Sequence, residues 1–122
     1  MTPESVTEYI QARYGAEPEY LWPKYPDTFV FRHAGNRKWF AVVMGVQRKK
    51  LGLPGEGTTF LMDVKCGPIL GGSLLGVPGV VRAFHMNKKN WLGVLLDGTA
   101  QEDTVKELLE ISFDLTNSIG KH

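Results

Sequence analysis

The chain has 122 residues, 43% apolar and 22% charged, with a net charge of +1. This predicts one globular domain, residues 1–122, large enough to bury a core. The single cysteine, Cys66, excludes a disulfide framework and a multi-cysteine zinc site. No stretch approaches the roughly 18 consecutive apolar residues of a membrane span, and the acidic start Met1-Thr2-Pro3-Glu4 is unlike a signal peptide, so a cytoplasmic, reducing compartment is expected.

A first helix is signposted by Thr2 as cap, Pro3 at the first helical position and Glu4 complementing the dipole. Val6, Tyr9, Ile10, Arg13 and Tyr14 recur at helical spacing, and Gly15 suits the left-handed stop. Pro18, Pro23 and Pro26 break up the next stretch, leaving room for a short edge strand around Glu19 to Trp22. From Thr28 the period becomes two, with Phe29, Phe31 and His33 on one face and Thr28, Val30 and Arg32 on the other. After a turn at His33-Ala34-Gly35-Asn36, a strand is predicted from Lys38 to Val46. Simple alternation puts Trp39, Ala41 and Val43 on one face and Phe40, Val42 and Met44 on the other; apolar on both, it reads as central.

Residues 47–57 form a long basic loop with three glycines and Pro54. A third strand is predicted from Thr58 to Cys66, with Phe60, Met62, Val64 and Cys66 sharing a face. Pro68 opens a weak helix across Ile69 to Leu75, interrupted by Gly71 and Gly72 and ended by Gly76. Strands are expected at Val81 to Met86 and Trp91 to Leu96, joined by the polar tip Asn87-Lys88-Lys89-Asn90. Thr99 and Glu102 match a capping box for the last helix. Its apolar side holds Val105, Leu108, Leu109, Ser112, Leu115, Thr116 and Ile119, and Gly120 is the expected stop. The pattern is α+β: an antiparallel sheet with N- and C-terminal helices packed on it.

Charge is distributed unevenly. Residues 1–27 carry −3 and residues 97–122 carry −4, while residues 28–96 hold ten Lys/Arg against two acids, for +8. A basic centre between acidic ends can mark a polyanion-binding surface.

No catalytic constellation is recognisable, so no enzyme activity is expected. The histidines at 33, 85 and 122 lack the spacing of a zinc helix, and no phosphate loop or dinucleotide fingerprint is present. No metal or cofactor is implied. Cys66 with His85 is formally a nucleophile and a base, but Cys66 extends an apolar strand face and reads as a buried inert thiol. His85 reads as structural before it reads as a base. Glu107, Glu110 and Asp114 fall on the solvated face of the last helix.

The candidate binding residues are on loops. Arg48, Lys49 and Lys50 form one basic tip, and Asn87, Lys88, Lys89 and Asn90 the other, with Arg37 and Lys38 at a further strand junction. Cations on projecting hairpins follow phosphates, and Asn amides bond phosphate or base edges. Basic tips also keep sheet edges soluble, and from the residues alone that reading stands slightly ahead. A different class of function, a small-molecule or protein-interaction module, draws on Tyr20, Trp22, Trp39, His85, Lys88 and Trp91, which can line an anion-accepting pocket near strand ends. Against it, the tryptophans can simply fill the core, Trp39 above all.

Three motifs carry a family resemblance. Trp22-Pro23-Lys24-Tyr25-Pro26-Asp27-Thr28-Phe29-Val30-Phe31, then Val64-Lys65-Cys66-Gly67-Pro68, then His85-Met86-Asn87-Lys88-Lys89-Asn90-Trp91 followed by Leu95-Leu96-Asp97-Gly98 occur in the order expected of the MmcQ/YjbR family, across roughly residues 1–118. The resemblance implies a frataxin-like (CyaY-like) α+β fold and a double-wing mode of DNA binding, and it brings no established catalytic residues. DNA is therefore the expected partner, with Arg48, Lys49, Lys50, Lys88 and Lys89 on phosphates. Gly67 stands where the family pattern often has Asp, which puts a side-chain helix cap there in question. The iron-binding reading that such a fold invites finds only Glu4 and Glu8 on the first helix, too few for an acidic ridge.

Overall fold

The computed structural model describes residues 1–117, apart from the side chain of Ile69. Helix α1 (Pro3–Tyr14) is followed by strands β1 (Phe29–Arg32), β2 (Trp39–Gln47) and β3 (Thr58–Lys65), helix α2 (Pro68–Leu74), strands β4 (Val80–Arg82) and β5 (Trp91–Leu95), and helix α3 (Glu102–Thr116). The five strands form one antiparallel-paired sheet in the order β1-β2-β3-β5-β4. The α+β architecture with terminal helices is as the sequence predicts.

The α1 signals hold. Thr2 caps it, accepting the Ser5 N–H at 3.0 Å while Ser5 reciprocates, Pro3 opens it, and Gly15 ends it at φ 68°. Glycine adopts that left-handed backbone without steric penalty. Helix α3 departs from expectation: its N-cap is Gln101, which makes no side-chain cap bond. Thr99 instead donates its N–H at 2.9 Å and its hydroxyl to the Asp97 carboxylate, an Asx turn two residues earlier. Leu115, placed on the apolar side by periodicity, is exposed. Ile119, Gly120 and His122 lie outside the described residues.

Helices cover one face of the sheet. Val6 and Ile10 of α1 and Val105, Leu108 and Leu109 of α3 pack on Phe29, Phe31, Phe40, Val43, Met62, Val64 and Val94. Buried hydroxyls lock α3 in place: Ser112 Oγ donates to the Phe40 carbonyl at 2.6 Å and accepts the Lys65 N–H at 2.9 Å. His33 is buried against Phe40 and Phe113, its Nε2 at 2.8 Å from Thr116 Oγ1. The Thr116 hydroxyl donates to the Ser112 carbonyl at 2.7 Å, so His33 Nε2 carries a proton and donates. Burial lowers the His33 pKa.

The outer face carries a second apolar cluster, Val30, Val42, Met44, Val46, Leu61 and Leu95, covered by Trp22, Trp39, Leu51, Leu53, Val81 and Phe84 from loops and strand ends. Simple alternation fails in β2, because the β1–β2 register shifts between Phe31 and Arg32. This bulge turns both Phe40 and Ala41 to the helix side and leaves Trp39 with Val42 and Met44 on the outer face. The expected edge strand at Glu19 to Trp22 reduces to a single bridge, Glu19 to Val30. Strand β4 is three residues long where six were expected, and the chain leaves it at Ala83 to fold back over the outer face. Gly67 caps α2 without a side-chain bond.

Candidate nucleic-acid interface

Strand direction decides where the basic groups lie. Gln47 pairs with Thr58, so the 48–57 loop closes one end of the sheet. Lys65 pairs with Trp91, at the other end of β3, so the Asn87–Asn90 turn lies at the opposite end. The seven steps from Thr58 to Lys65 separate the two tips by about 24 Å at about 3.4 Å per residue. The two basic tips singled out in the sequence do not share a side.

Each end is differently composed. At the first, Arg48 is engaged internally: its Nε donates to the Pro54 carbonyl at 2.7 Å and its Nη1 lies 3.6 Å from Asp97 Oδ2. Burial works against the Asp97 charge, but bonds from Thr99 and Arg48 outweigh it and hold the carboxyl below its usual range. Arg48 therefore braces the loop. Lys49 and Lys50 remain exposed on a 3₁₀ turn, with Glu56 beside Lys49 around an open depression of about 340 Å³.

The second end collects the other seven central cations, because the remaining cation-bearing strand ends and connections meet there: Arg32 from β1, Arg37 and Lys38 before β2, Lys65 from β3, Arg82 from β4, and Lys88 and Lys89 before β5. Arg32 is bidentate to Glu19 at 3.0 and 2.7 Å, and Arg37 lies 3.8 Å from the same carboxylate. The bonds from Arg32 hold the Glu19 carboxyl below the usual range. Lys38, Lys65, Arg82, Lys88 and Lys89 form no ion pair among the described residues. Adjacent strands lie about 4.8 Å apart, so four steps across the sheet make this a row about 19 Å wide.

The asparagines of the turn have structural duties. Asn87 Oδ1 accepts the Lys89 N–H at 2.8 Å, and the Asn87 carbonyl accepts from the N–H of Asn90 and Trp91. The Asn90 carbonyl accepts the N–H groups of Cys66 and Gly67 at 2.8 and 3.2 Å, tying the turn to the end of β3. Their backbones thus hold Lys88 and Lys89 outward. The proposed aromatic pocket is not assembled as one site. The Trp22 ring meets Trp39 at 5.6 Å, His85 lies against Phe84 at 4.1 Å, and Trp91 meets neither. Cys66 is buried, its thiol directed to the Gly67 and Asn90 carbonyls, and burial raises its pKa. The thiol thus stays protonated at neutral pH, and its hydrogen-bond partners among the described residues are both backbone carbonyls.

Sequence reasoning missed one ionisable group beside this end. Asp63 is fully buried at the centre of the outer face, between Val42 and Gly93. Its Oδ1 accepts the Phe84 N–H at 3.3 Å, and Oδ2 has no partner among the described residues. Burial pushes its pKa up to about 7, against the pull of that N–H and of Lys88. Alternation with Phe60, Met62, Val64 and Cys66 puts it on the opposite face of the strand, but shows neither that face covered nor Phe84 above it.

Three comparisons with known proteins bear on this chain. The YjbR family model matches residues 11–115. The uncharacterised protein YyaQ of Bacillus subtilis (strain 168) is 34% identical over 116 residues, covering 95% of this chain and 98% of that one. A crystal structure of a Pseudomonas syringae protein, a structural-genomics target, superposes with a TM-score of 0.92 at 40% identity, over 95% of this chain and 99% of that chain. A Deinococcus radiodurans protein shares the fold at a TM-score of 0.72 and 20% identity, over 99% of this chain and 82% of that one.

Proposed function

The chain belongs to the YjbR family, and on the strength of its charge layout we propose that it binds nucleic acid along the basic end of its sheet. The supporting observation is the concentration of seven of the ten central cations at that end, five of them without a carboxylate partner among the described residues. Unpaired cations on adjacent strand ends hold their charge toward solvent, where phosphates replace the condensed counterions. A row about 19 Å wide runs beside roughly five phosphates of one strand, at about 3.4 Å of helix axis each.

This reading differs from a double wing in its footprint. The contacts come from one end, with Lys38, Lys65, Arg82, Lys88 and Lys89 on phosphates. The exposed pair Lys49 and Lys50, about 24 Å away along β3, contributes only to the general field. Backbone contacts of this kind give affinity with little sequence preference.

The test is fluorescence anisotropy with labelled duplex and single-stranded oligonucleotides at roughly 50 and 200 mM salt. Engagement of three to five phosphates predicts a slope of log K against log salt of roughly −3 to −4.5 on duplex. Absence of saturable binding at the lower salt removes the proposal.

A further inference from the structure

Between α2 and the chain leaving β4 lies a second cavity, about 170 Å³, whose lining includes Arg82, Lys88, Lys89, Gly72, Leu75 and Leu92. Among the described residues three cations and no carboxylate line it, and none of the three is in an ion pair. The two glycines of α2 act differently. A side chain at Gly71 would press on Cys66 Sγ at 3.1 Å, so its absence lets the helix sit close to β5, while Gly72 faces open space with nothing within 4 Å of a built Cβ. At about 30 Å³ per water, the cavity holds the equivalent of roughly five or six waters, room for one phosphate group with water beside it.

We infer that this cavity is a phosphomonoester pocket that takes the phosphorylated end of a nucleic-acid strand; the strand-end half of the inference rests on the nucleic-acid reading above. Charge separates an end from the middle of a strand. A terminal monoester carries about −1.5 to −2 charges at neutral pH, against a single charge for each internal phosphodiester, and three converging cations discriminate between them. Leu75 and Leu92 give the cavity an apolar side while it stays open to solvent, so a head group at the end of a strand can enter it. Arg82 supplies planar bidentate donors and the two lysines supply point charges, a combination suited to a tetrahedral dianion.

The experiment compares short single strands carrying a 5′-phosphate, a 3′-phosphate or hydroxyls at both ends, competing for the full chain at fixed salt, together with an NMR titration by inorganic phosphate alone. The inference expects a phosphorylated end to compete roughly tenfold better than its hydroxyl counterpart, and inorganic phosphate to shift the amides of Gly71 and Gly72. Gly72→Leu fills the cavity without removing a charge, and should abolish the end preference while overall binding persists. Strands that bind equally well whatever their ends, with no amide shift from phosphate, overturn the pocket and leave the nucleic-acid reading intact. Amide shifts from phosphate without binding of any strand overturn the strand-end assignment and the nucleic-acid reading together. Arg82→Gln separates charge from shape: it should lower phosphate affinity in wild-type background, and an unchanged titration would remove the anion assignment.

Discussion

Phe84 donates its backbone N–H to the carboxyl of Asp63 at 3.3 Å, so the segment that leads to Lys88 and Lys89 is anchored on a buried acid in the middle of the sheet. Gly93, the β5 partner of Asp63, has no side chain; a built Cβ there would meet Leu61 Cδ1 at 2.7 Å and the Arg82 carbonyl at 3.1 Å. Its absence lets Leu61 and the departing chain close over the acid.

This anchor predicts a pH dependence. The Asp63 pKa is about 7 folded and about 3.9 unfolded. The folded state binds the extra proton between those values, so this contribution to stability is complete below about pH 4 and is lost as pH rises through 7. Asp63→Asn keeps an acceptor for the Phe84 N–H and cannot ionise. Thermal melts should show the variant gaining a few kcal/mol over the parent at pH 8 and little at pH 4. A gain independent of pH would contradict the assignment.

His33 works in the other direction. Its folded pKa is lowered by burial, so its contribution is present above the unfolded value of about 6.5 and is lost as pH falls through the folded one. Thr116→Val removes the acceptor from the His33 Nε2–H and should cost about 1–3 kcal/mol in a denaturant titration at pH 7.5. A loss below half a kcal/mol would mean that the ring finds another partner.

The two basic loops should be separable by mutation. Lys88→Gln with Lys89→Gln should weaken oligonucleotide binding and reduce the steepness of the duplex salt dependence by about 1.8, at about 0.9 per phosphate contact. Lys49→Gln with Lys50→Gln should change affinity by about twofold at most, since only the general field is altered. Equal effects from the two pairs would favour two wings over one basic end.

Arg48 should act on stability and not on binding. Arg48→Met removes the bond to the Pro54 carbonyl and the ion pair with Asp97, both partly shielded, and should cost about 1 kcal/mol with oligonucleotide affinity nearly unchanged.

Backbone geometry makes one glycine indispensable. A Cβ at Gly79, φ +81°, would lie 2.5 Å from the Ala100 N and Cβ. Gly79→Ala should therefore cost about 2 kcal/mol or more, whereas Gly57→Ala, at φ +92° with nothing within 4 Å, should cost about 1 kcal/mol from backbone strain alone. Urea melts of the two variants measure the difference.

Local signals in the sequence carried most of the fold. The cap at Thr2, the stop at Gly15, the period of two from Thr28 and the helical stripe from Val105 to Ser112 each depend on neighbours a few residues away, and each is present. Alternation was misleading at Phe40, where the bulge adds one residue against the partner strand, and at Thr99, whose hydroxyl turns back to Asp97 instead of forward to the helix. Neither choice is visible without the pairing partner or the loop path. The candidate site was half legible: Lys38, Lys88 and Lys89 stood out as loop cations, while Lys65 and Arg82 read as ordinary strand residues.

The amino-acid order alone determined the class of the fold, the central basic excess and which loops hold cations, because propensity, periodicity and charge are properties of short segments. Which cations meet was decided only by tertiary structure. A plain meander, with β4 beside β3, would put the Asn87–Asn90 turn at the same end as Arg48, Lys49 and Lys50. Instead α2 carries the chain back, β5 inserts between β3 and β4, and the direction of the β4–β5 connection reverses. Strand order is a choice among whole-chain packings, and that choice moved Lys88 and Lys89 to the side of Lys38, Lys65 and Arg82.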